Sequence, residues 1–439
     1  MAAVEGPGAA GAGIAREDAP DPALDPAAVA VARRIMDRCN LLATYSDTDT
    51  AIERVFLSPE HRRVNRAAAT WMREAGLRTW QDQAGNQCGR MEGARPGLPA
   101  LLLGSHLDTV PDAGRYDGIL GVLLAIEVVR RFRAEAHRLP FALETIAFSD
   151  EEGTRFGTAL FGSRAVAGTL GDDWAQVTDR DGVSIPEAAR RFGLDPEEVG
   201  LARRRPESLV GYLEAHIEQR PFLERSGRAL GVVTGIAGAK RMLVRIEGES
   251  RHAGTPYDLR RDALLGAAAA ITRIQGLAEE AGDSATIGHL RVSPDAVNIV
   301  PGIAEFSLDY RSESDAKRDA GIERALGAVR GQCAERGLTV TVKTWHEAET
   351  VSCARSLQDV VAESIGAVGD DAPMRLFSVA GHDAMSMANI TDVAMLFIRC
   401  RQGISHNPGE SVTLEDAARA FTAYVATVAD LEVRLGSRS

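Results

Sequence analysis

Cysteine is scarce: the 439 residues hold five, at Cys39, Cys88, Cys333, Cys353 and Cys400. They are scattered, odd in number and form no C-x-x-C pair, so no disulfide framework is indicated. Reduced thiols in a cytoplasmic protein are expected. Long apolar runs are also missing. No stretch approaches the roughly 20 residues that span a bilayer, and the longest candidate, 119–129, is interrupted by Gly121 and Glu127 and reads as a buried helix. Positive charge is in deficit, with 50 Lys and Arg against 62 Asp and Glu and a net charge of −12. That balance argues against nucleic acid or an anionic membrane as the main partner. It leaves room for a small anionic substrate wherever the pocket itself carries arginine. Residues 1–25 are rich in Ala, Gly, Pro and Asp and lack both the basic start and the apolar core of a signal peptide. They are expected to form a disordered tail. There is no internal repeat.

Four segments pair a buried-strand pattern with polar residues at its end. They are Ala100 to Asp108, Ile146 to Gly153, Gly211 to Gln219, and Val393 to Ile398 running on to Ser405-His406. Apolar runs of this length read as strands of a covered sheet, whose carboxyl ends are where sites form. Helical periodicity starts near Ala28 and recurs over 59–76, with Val64, Ala67, Ala68, Trp71 and Met72 on the apolar face. Strand and helix then alternate over 101–103, 120–132 and 141–148, with a further helix after Gly162 and a short one at 185–192.

The pattern changes near Gly238. A period-two strand at 242–247 precedes an alanine-rich helix at 262–281, strands near 285–292 and 303–310, a helix near 315–336 and a strand at 338–344. Strand-helix-strand-strand-helix-strand is a split βαβ arrangement, of the size of a small inserted domain. The expected fold is therefore α/β. An αβα catalytic domain with a mostly parallel sheet is formed by 26–237 and 350–436, and a ferredoxin-like α+β domain is inserted at 238–349.

His106 and Asp108 fall on one side of an extended segment, so Asp108 could hold the second imidazole nitrogen of a ligating His106. Asp117, ahead of the 119–132 helix, reads either as an ordinary helix cap or as a carboxylate shared by two metals. Asp150-Glu151-Glu152 crowds three acids at a strand end. An acidic turn in water is the ordinary reading. The apolar strand before it favours a division of labour, with one Glu as metal ligand and one as proton shuttle. His216 and His406 stand out from the other histidines because each lies at or beyond a strand end. His382, in Gly381-His-Asp383, stays open. Together, His and carboxylate suit a zinc, manganese or similar divalent site.

These motifs, with His252-Ala-Gly and Asn298-Ile-Val-Pro-Gly added, resemble the dinuclear-metal amidohydrolases of the peptidase M20 group. The resemblance runs from about Ala30 to Leu435. Within the group it points to the branch of allantoate amidohydrolases and N-carbamoyl-L-amino acid hydrolases. It implies two divalent ions (zinc, manganese, cobalt or nickel), one held by His106, Asp117 and His216 and the other by Asp117, Glu152 and His406. It implies Glu151 as general base, with Asp108 supporting the site. Gln219, Asn298, Arg311 and Gly381 line the substrate pocket by the same resemblance. The inserted domain is then a lid that also forms a homodimer, with His252 steadying the oxyanion. His216, where peptidase relatives place a carboxylate, and the short interval from His106 to Asp117 favour a small anionic ureido substrate. An aminoacylase or dipeptidase acting on an ordinary amide is the alternative.

Overall fold

The computed structural model describes residues 24–135 and 138–436. Most of the expected tail, 1–23, lies outside the described residues. At its end the Asp25 carboxylate accepts the Ala27 N–H and caps α1 (Pro26–Ala43), with Pro26 at a position where its missing N–H costs nothing. Ser58 and Pro59 start α2 (Pro59–Glu74) in the same way. A hairpin follows that the period-two pattern was too short to reveal, β1 (Arg78–Gln81) and β2 (Gln87–Met91). Next come β3 (Ala100–His106), α3 (Ile119–Ala134), β4 (Ala142–Phe148), α4 (Phe161–Ala167), α5 (Ile185–Phe192), β5 (Leu209–Ile217), the short α6 (Phe222–Arg225) and β6 (Leu230–Ile236).

The chain then enters a second sheet through β7 (Gly238–Glu247). It continues with β8 (Arg251–His252), α7 (Ala263–Ala281), β9 (Ser284–Thr286), β10 (Leu290–Ser293), β11 (Ile299–Val300), β12 (Ile303–Ser312), α8 (Asp315–Glu335) and β13 (Thr339–Glu347). It returns through β14 (Val351–Ser352), α9 (Arg355–Gly366), β15 (Met374–Ser378), α10 (Ala384–Met387), β16 (Val393–Ile398) and α11 (Leu414–Gly436).

The first sheet has nine strands in the order β1-β2-β4-β3-β5-β16-β6-β14, with β15 beside β6. Its four central strands, β4, β3, β5 and β16, are mutually parallel, so their carboxyl ends emerge along one edge. Alternate residues of β3 feed two apolar layers. Leu101 and Leu103 pack with α1, α2, α3, α9 and α11, while Ala100 and Leu102 pack with Val166 of α4 and with Ala384 and Met387 of α10. Burial on both faces is why the first four residues of β3 and all of β16 read as apolar runs. α3 is buried on nearly every side, and its one interior acid, Glu127, accepts from Arg34 at 2.7 Å and Arg38 at 2.6 Å.

The second sheet, β10-β12-β7-β13, is antiparallel throughout and has its own core of Val244, Ile246, Ala267, Ile274, Phe306 and Val329. The expected single strand near 285–292 is two, β9 and β10, both pairing with β12.

Candidate metal centre

Five of the expected ligands meet beyond the carboxyl edge of the central strands. His106 ends β3, His216 lies near the end of β5, Glu152 follows β4, and His406 lies beyond β16. Asp117 precedes α3. It is not the helix cap: that place is taken by Gly118, at φ 71° and ψ −50°, and no side chain caps the helix. The Ile119 N–H instead closes a three-residue turn on the Asp117 carbonyl at 2.8 Å. The Asp117 carboxylate is thereby free to face the histidines. Its Oδ1 lies 3.4 Å from His106 Nε2 and 3.1 Å from His216 Nε2, and its Oδ2 lies 3.4 Å from His406 Nε2. His406 Nε2 is also 3.2 Å from Glu152 Oε1. The donor atoms of His106, Asp117 and His216 thus form one cluster, and those of Asp117, Glu152 and His406 another.

The protonation pattern tests whether a cation fits. His106 Nδ1 lies 3.1 Å from the Asp108 carbonyl and His216 Nδ1 lies 2.9 Å from the Ile217 carbonyl. A carbonyl only accepts, so each Nδ1 carries the proton and each neutral ring turns its Nε2 lone pair outward. Both lone pairs then meet an Asp117 oxygen that also only accepts. A divalent cation resolves that conflict, and the all-nitrogen-and-oxygen donor set suits one. In its absence, protons must do the same work. Burial depresses the His106 imidazole, but the nearby Asp108 and Asp117 carboxylates and the Glu151 charge outweigh it and hold the group well above its ordinary value. Burial disfavours the ionised Asp117, yet the His216 charge and the hydrogen bonds from the three rings keep its carboxyl well below the usual range.

Glu151 is buried, and burial pushes its carboxyl well up; His106 opposes this and the Glu152 charge adds to it. Asp108 supports the site differently from expectation. Its carbonyl, not its carboxylate, holds His106. The carboxylate, 3.6 Å from His106 Nδ1, accepts the main-chain N–H groups of Glu151 and Glu152, each at 3.1 Å. One aspartate therefore fixes both neighbouring glutamates. Asp150, Gln219 and His406 adopt φ of 56°, 57° and 54°, and such strained backbone clusters at working sites.

Gln219 donates to Asp117 Oδ2 at 2.7 Å, and its buried Oε1 has no hydrogen-bond partner among the described residues. Arg311 donates from one Nη to the Val379 carbonyl at 2.9 Å, two residues before Gly381, but its fork already grips the Asp309 carboxylate at 2.9 and 3.0 Å. His252 and Asn298 come together through the β8–β11 pair, where Asn298 accepts the Ala253 N–H. Both are exposed, and among the described residues no hydrogen bond or ion pair joins either to the cluster.

Three groups support the centre, and two of them, Glu214 and Glu410, were not picked out from sequence. Glu214, inside β5, accepts from Ser105 and from the Ala384 N–H at 2.9 and 3.1 Å. His382, whose role had been left open, packs edge-on to His216 at 4.5 Å between ring centroids and bonds Ser378. Glu410, which burial pushes up to about 7, contacts the Asp117 loop. A charged residue in the middle of an apolar strand was the available signal for Glu214; nothing comparable marks Glu410. A cleft of about 620 Å³ lined by Arg62, Asn65, Arg66 and Arg73 lies elsewhere and shares no residue with the cluster. Volume is a weaker guide here than converging, charge-unbalanced buried groups.

Residues 102–430 match the family model described as peptidase family M20/M25/M40. The chain is 39% identical over 423 residues to a probable allantoate deiminase of Oryza sativa subsp. japonica, covering 88% of this chain and 86% of that protein. It is 39% identical over 371 residues to an N-carbamoyl-L-amino acid amidohydrolase of Geobacillus stearothermophilus, covering 84% and 90%. A hydantoinase/carbamoylase family amidase from Burkholderia ambifaria superposes with a TM-score of 0.83 at 30% identity, covering 93% of this chain and 97% of that one.

Proposed function

The chain belongs to peptidase family M20/M25/M40, and we propose that within it this protein hydrolyses the ureido C–N bond of allantoate or an N-carbamoyl-L-amino acid. It is a dinuclear-metal hydrolase of non-peptide C–N bonds. The observation that carries this reading is the Asp117 carboxylate set between two donor clusters, His106 with His216 on one oxygen and His406 with Glu152 on the other side. Relatives named for ureido hydrolysis, 39% identical over most of the chain, direct that chemistry to a ureido carbonyl.

His106, Asp117 and His216 would hold one divalent ion, and Asp117, Glu152 and His406 the other; zinc, manganese, cobalt and nickel all accept such donors. Ions bound there supply charge to polarise a carbonyl oxygen and to lower the pKa of water. Glu151 takes the proton of the water that attacks the ureido carbon and returns it to the leaving nitrogen. The products are the amine and carbamic acid, which breaks down to ammonia and carbon dioxide. The unpartnered Gln219 Oε1 suits a ureido N–H. Arg311, released from Asp309, suits the substrate carboxylate through its planar fork, beside Gly381.

Residues 238–349 act as lid and homodimer interface in this reading, over a catalytic domain of 26–237 and 350–436. That role gives the exposed His252 and Asn298 a purpose, because they would meet substrate only on closure or across the dimer, where His252 stabilises the oxyanion. No helix among the described residues is long and apolar enough to cross a membrane, and we assign the protein to the cytoplasm. The test is a comparison of initial rates of the metal-loaded protein on allantoate, N-carbamoyl-L-amino acids and N-acetyl-L-amino acids. Faster turnover of a ureido acid than of any acyl compound is expected. Preference for the acyl compounds would refute the proposal.

A further inference from the structure

Asp117 reaches both donor clusters from a loop whose course is set by residues almost three hundred positions away. Glu410 Oε1 accepts the N–H groups of Tyr116 at 2.7 Å and of Asp117 at 3.1 Å. Its Oε2 lies 3.0 Å from Ser405 Oγ, and Ser405 Oγ also hydrogen-bonds Asp117 Oδ2. Glu410 is 5% exposed, so these contacts form away from water. A Cβ at Gly114 would overlap the Glu410 carboxyl, so the loop before Asp117 has room for it only because that position is glycine. Ser405 immediately precedes His406. One carboxylate therefore ties the backbone that carries Asp117 to the loop that carries His406.

We propose that Glu410 and Ser405 form a clamp that sets the Asp117 carboxylate between the two donor clusters. Glu410 is a positioning residue: it touches neither substrate nor reacting atoms, and acts through Asp117 and Ser405. The inference rests on the reading of the cluster as a two-ion centre. Its chemistry is directional. Two main-chain N–H groups need an acceptor at Oε1. The single Ser405 proton serves either Asp117 or Glu410, so the hydroxyl is held between two carboxylates. A carboxamide at 410 keeps every contact, because its oxygen accepts the two N–H groups and its NH2 donates to Ser405, which then donates to Asp117. An alanine leaves two buried N–H groups without a partner and the Asp117 loop untethered.

The experiment is calorimetric titration of the metal-free full-length protein with Zn²⁺, with the bound ions counted by elemental analysis and folding checked by circular dichroism. The parent and Glu410→Ala, Glu410→Gln and Ser405→Ala are compared. Loss of groups that orient metal ligands costs about 10–100-fold in affinity. Glu410→Ala is expected to weaken Zn²⁺ in that range, Ser405→Ala to weaken it several-fold, and Glu410→Gln to stay within about threefold of the parent. If Glu410→Ala does not fold, Ser405→Ala and Glu410→Gln decide the matter. Parent-like affinity in Ser405→Ala and Glu410→Ala overturns the clamp while leaving the two-ion reading intact. So does a Glu410→Gln defect equal to that of Glu410→Ala, which would make the charge the active element. A parent protein that takes up no Zn²⁺, Mn²⁺ or Co²⁺ overturns the two-ion reading itself and the clamp with it.

Discussion

Gly118→Ala perturbs the centre at the point where backbone and ligand geometry meet. At φ 71° and ψ −50° the residue lies outside the regions open to L side chains, so alanine there stores about 1–3 kcal/mol of strain. The new methyl would also fall inside van der Waals contact with all the nearest atoms of the His106 ring, Nε2 included. The imidazole is buried and held at Nδ1 by the Asp108 carbonyl, so it escapes only by breaking that bond or shifting Nε2 away from Asp117. A displacement near 1 Å at a working group costs about 10²-fold in rate. The assay pairs kcat/KM with bound metal per chain and a urea melt. A fall of about 100-fold in kcat/KM, reduced metal content and a stability loss of about 1–3 kcal/mol are expected. Gly97→Ala is the control, since Gly97 also has positive φ but a Cβ there meets nothing within 4 Å; it should lose stability alone. Gly118→Ala with parental activity and metal content would refute the assignment of His106 and its turn.

Glu151→Gln should lower turnover by about 10²–10⁴-fold with both metals retained; near-parental turnover would remove Glu151 as the base. Glu127→Ala strands Arg34 and Arg38 without their shared carboxylate. Breaking a buried pair costs about 3–5 kcal/mol; with the Arg34 side chain 41% exposed, a loss of about 2–4 kcal/mol in a denaturant melt is expected, with activity per folded molecule unchanged. His61 is fully buried, and burial pulls its imidazole down to about 4, while its Nδ1 accepts the Leu57 N–H. The unfolded chain takes up that proton first, so this contribution is complete above about pH 6.5 and is lost as pH falls towards 4, by about 3 kcal/mol. An NMR titration in which the His61 ring protonates near pH 6.5 in the folded protein would contradict this.

The elements easiest to read in the sequence were those whose residues do one job. β3 and β16 are buried on both faces and appear as apolar runs, and α7 begins at the cap Asp262 marks. The hairpin β1–β2 stayed hidden because Arg78, Gln81, Gln87 and Arg90 carry no strand signal; pairing with β4 makes β2 a strand. At the centre, His216 and His406 stood out by lying at or beyond strand ends and the acids after β4 by their crowding, while the resemblance to the M20 group supplied the ligand sets and the choice of Asp117 as a ligand over a helix cap. The ways in which they are held were not. Asp108 works through its carbonyl and supports two glutamates with its carboxylate, and Glu410 reaches Asp117 across 293 positions. Such contacts follow from tertiary placement, which neither spacing nor periodicity encodes. The occupied fork of Arg311 is of the same kind.

The most direct measurement is product stoichiometry: ammonia, carbon dioxide and free amine released per substrate consumed by the metal-loaded protein, on allantoate and on an N-carbamoyl-L-amino acid. Ureido hydrolysis at this centre predicts one carbon dioxide for each bond cleaved on at least one of the two, with one ammonia on the N-carbamoyl-L-amino acid and up to two on allantoate, whose geminal amino product itself sheds ammonia in water; all of it is abolished in Asp117→Ala. Silence on both, or release that survives Asp117→Ala, would contradict the account.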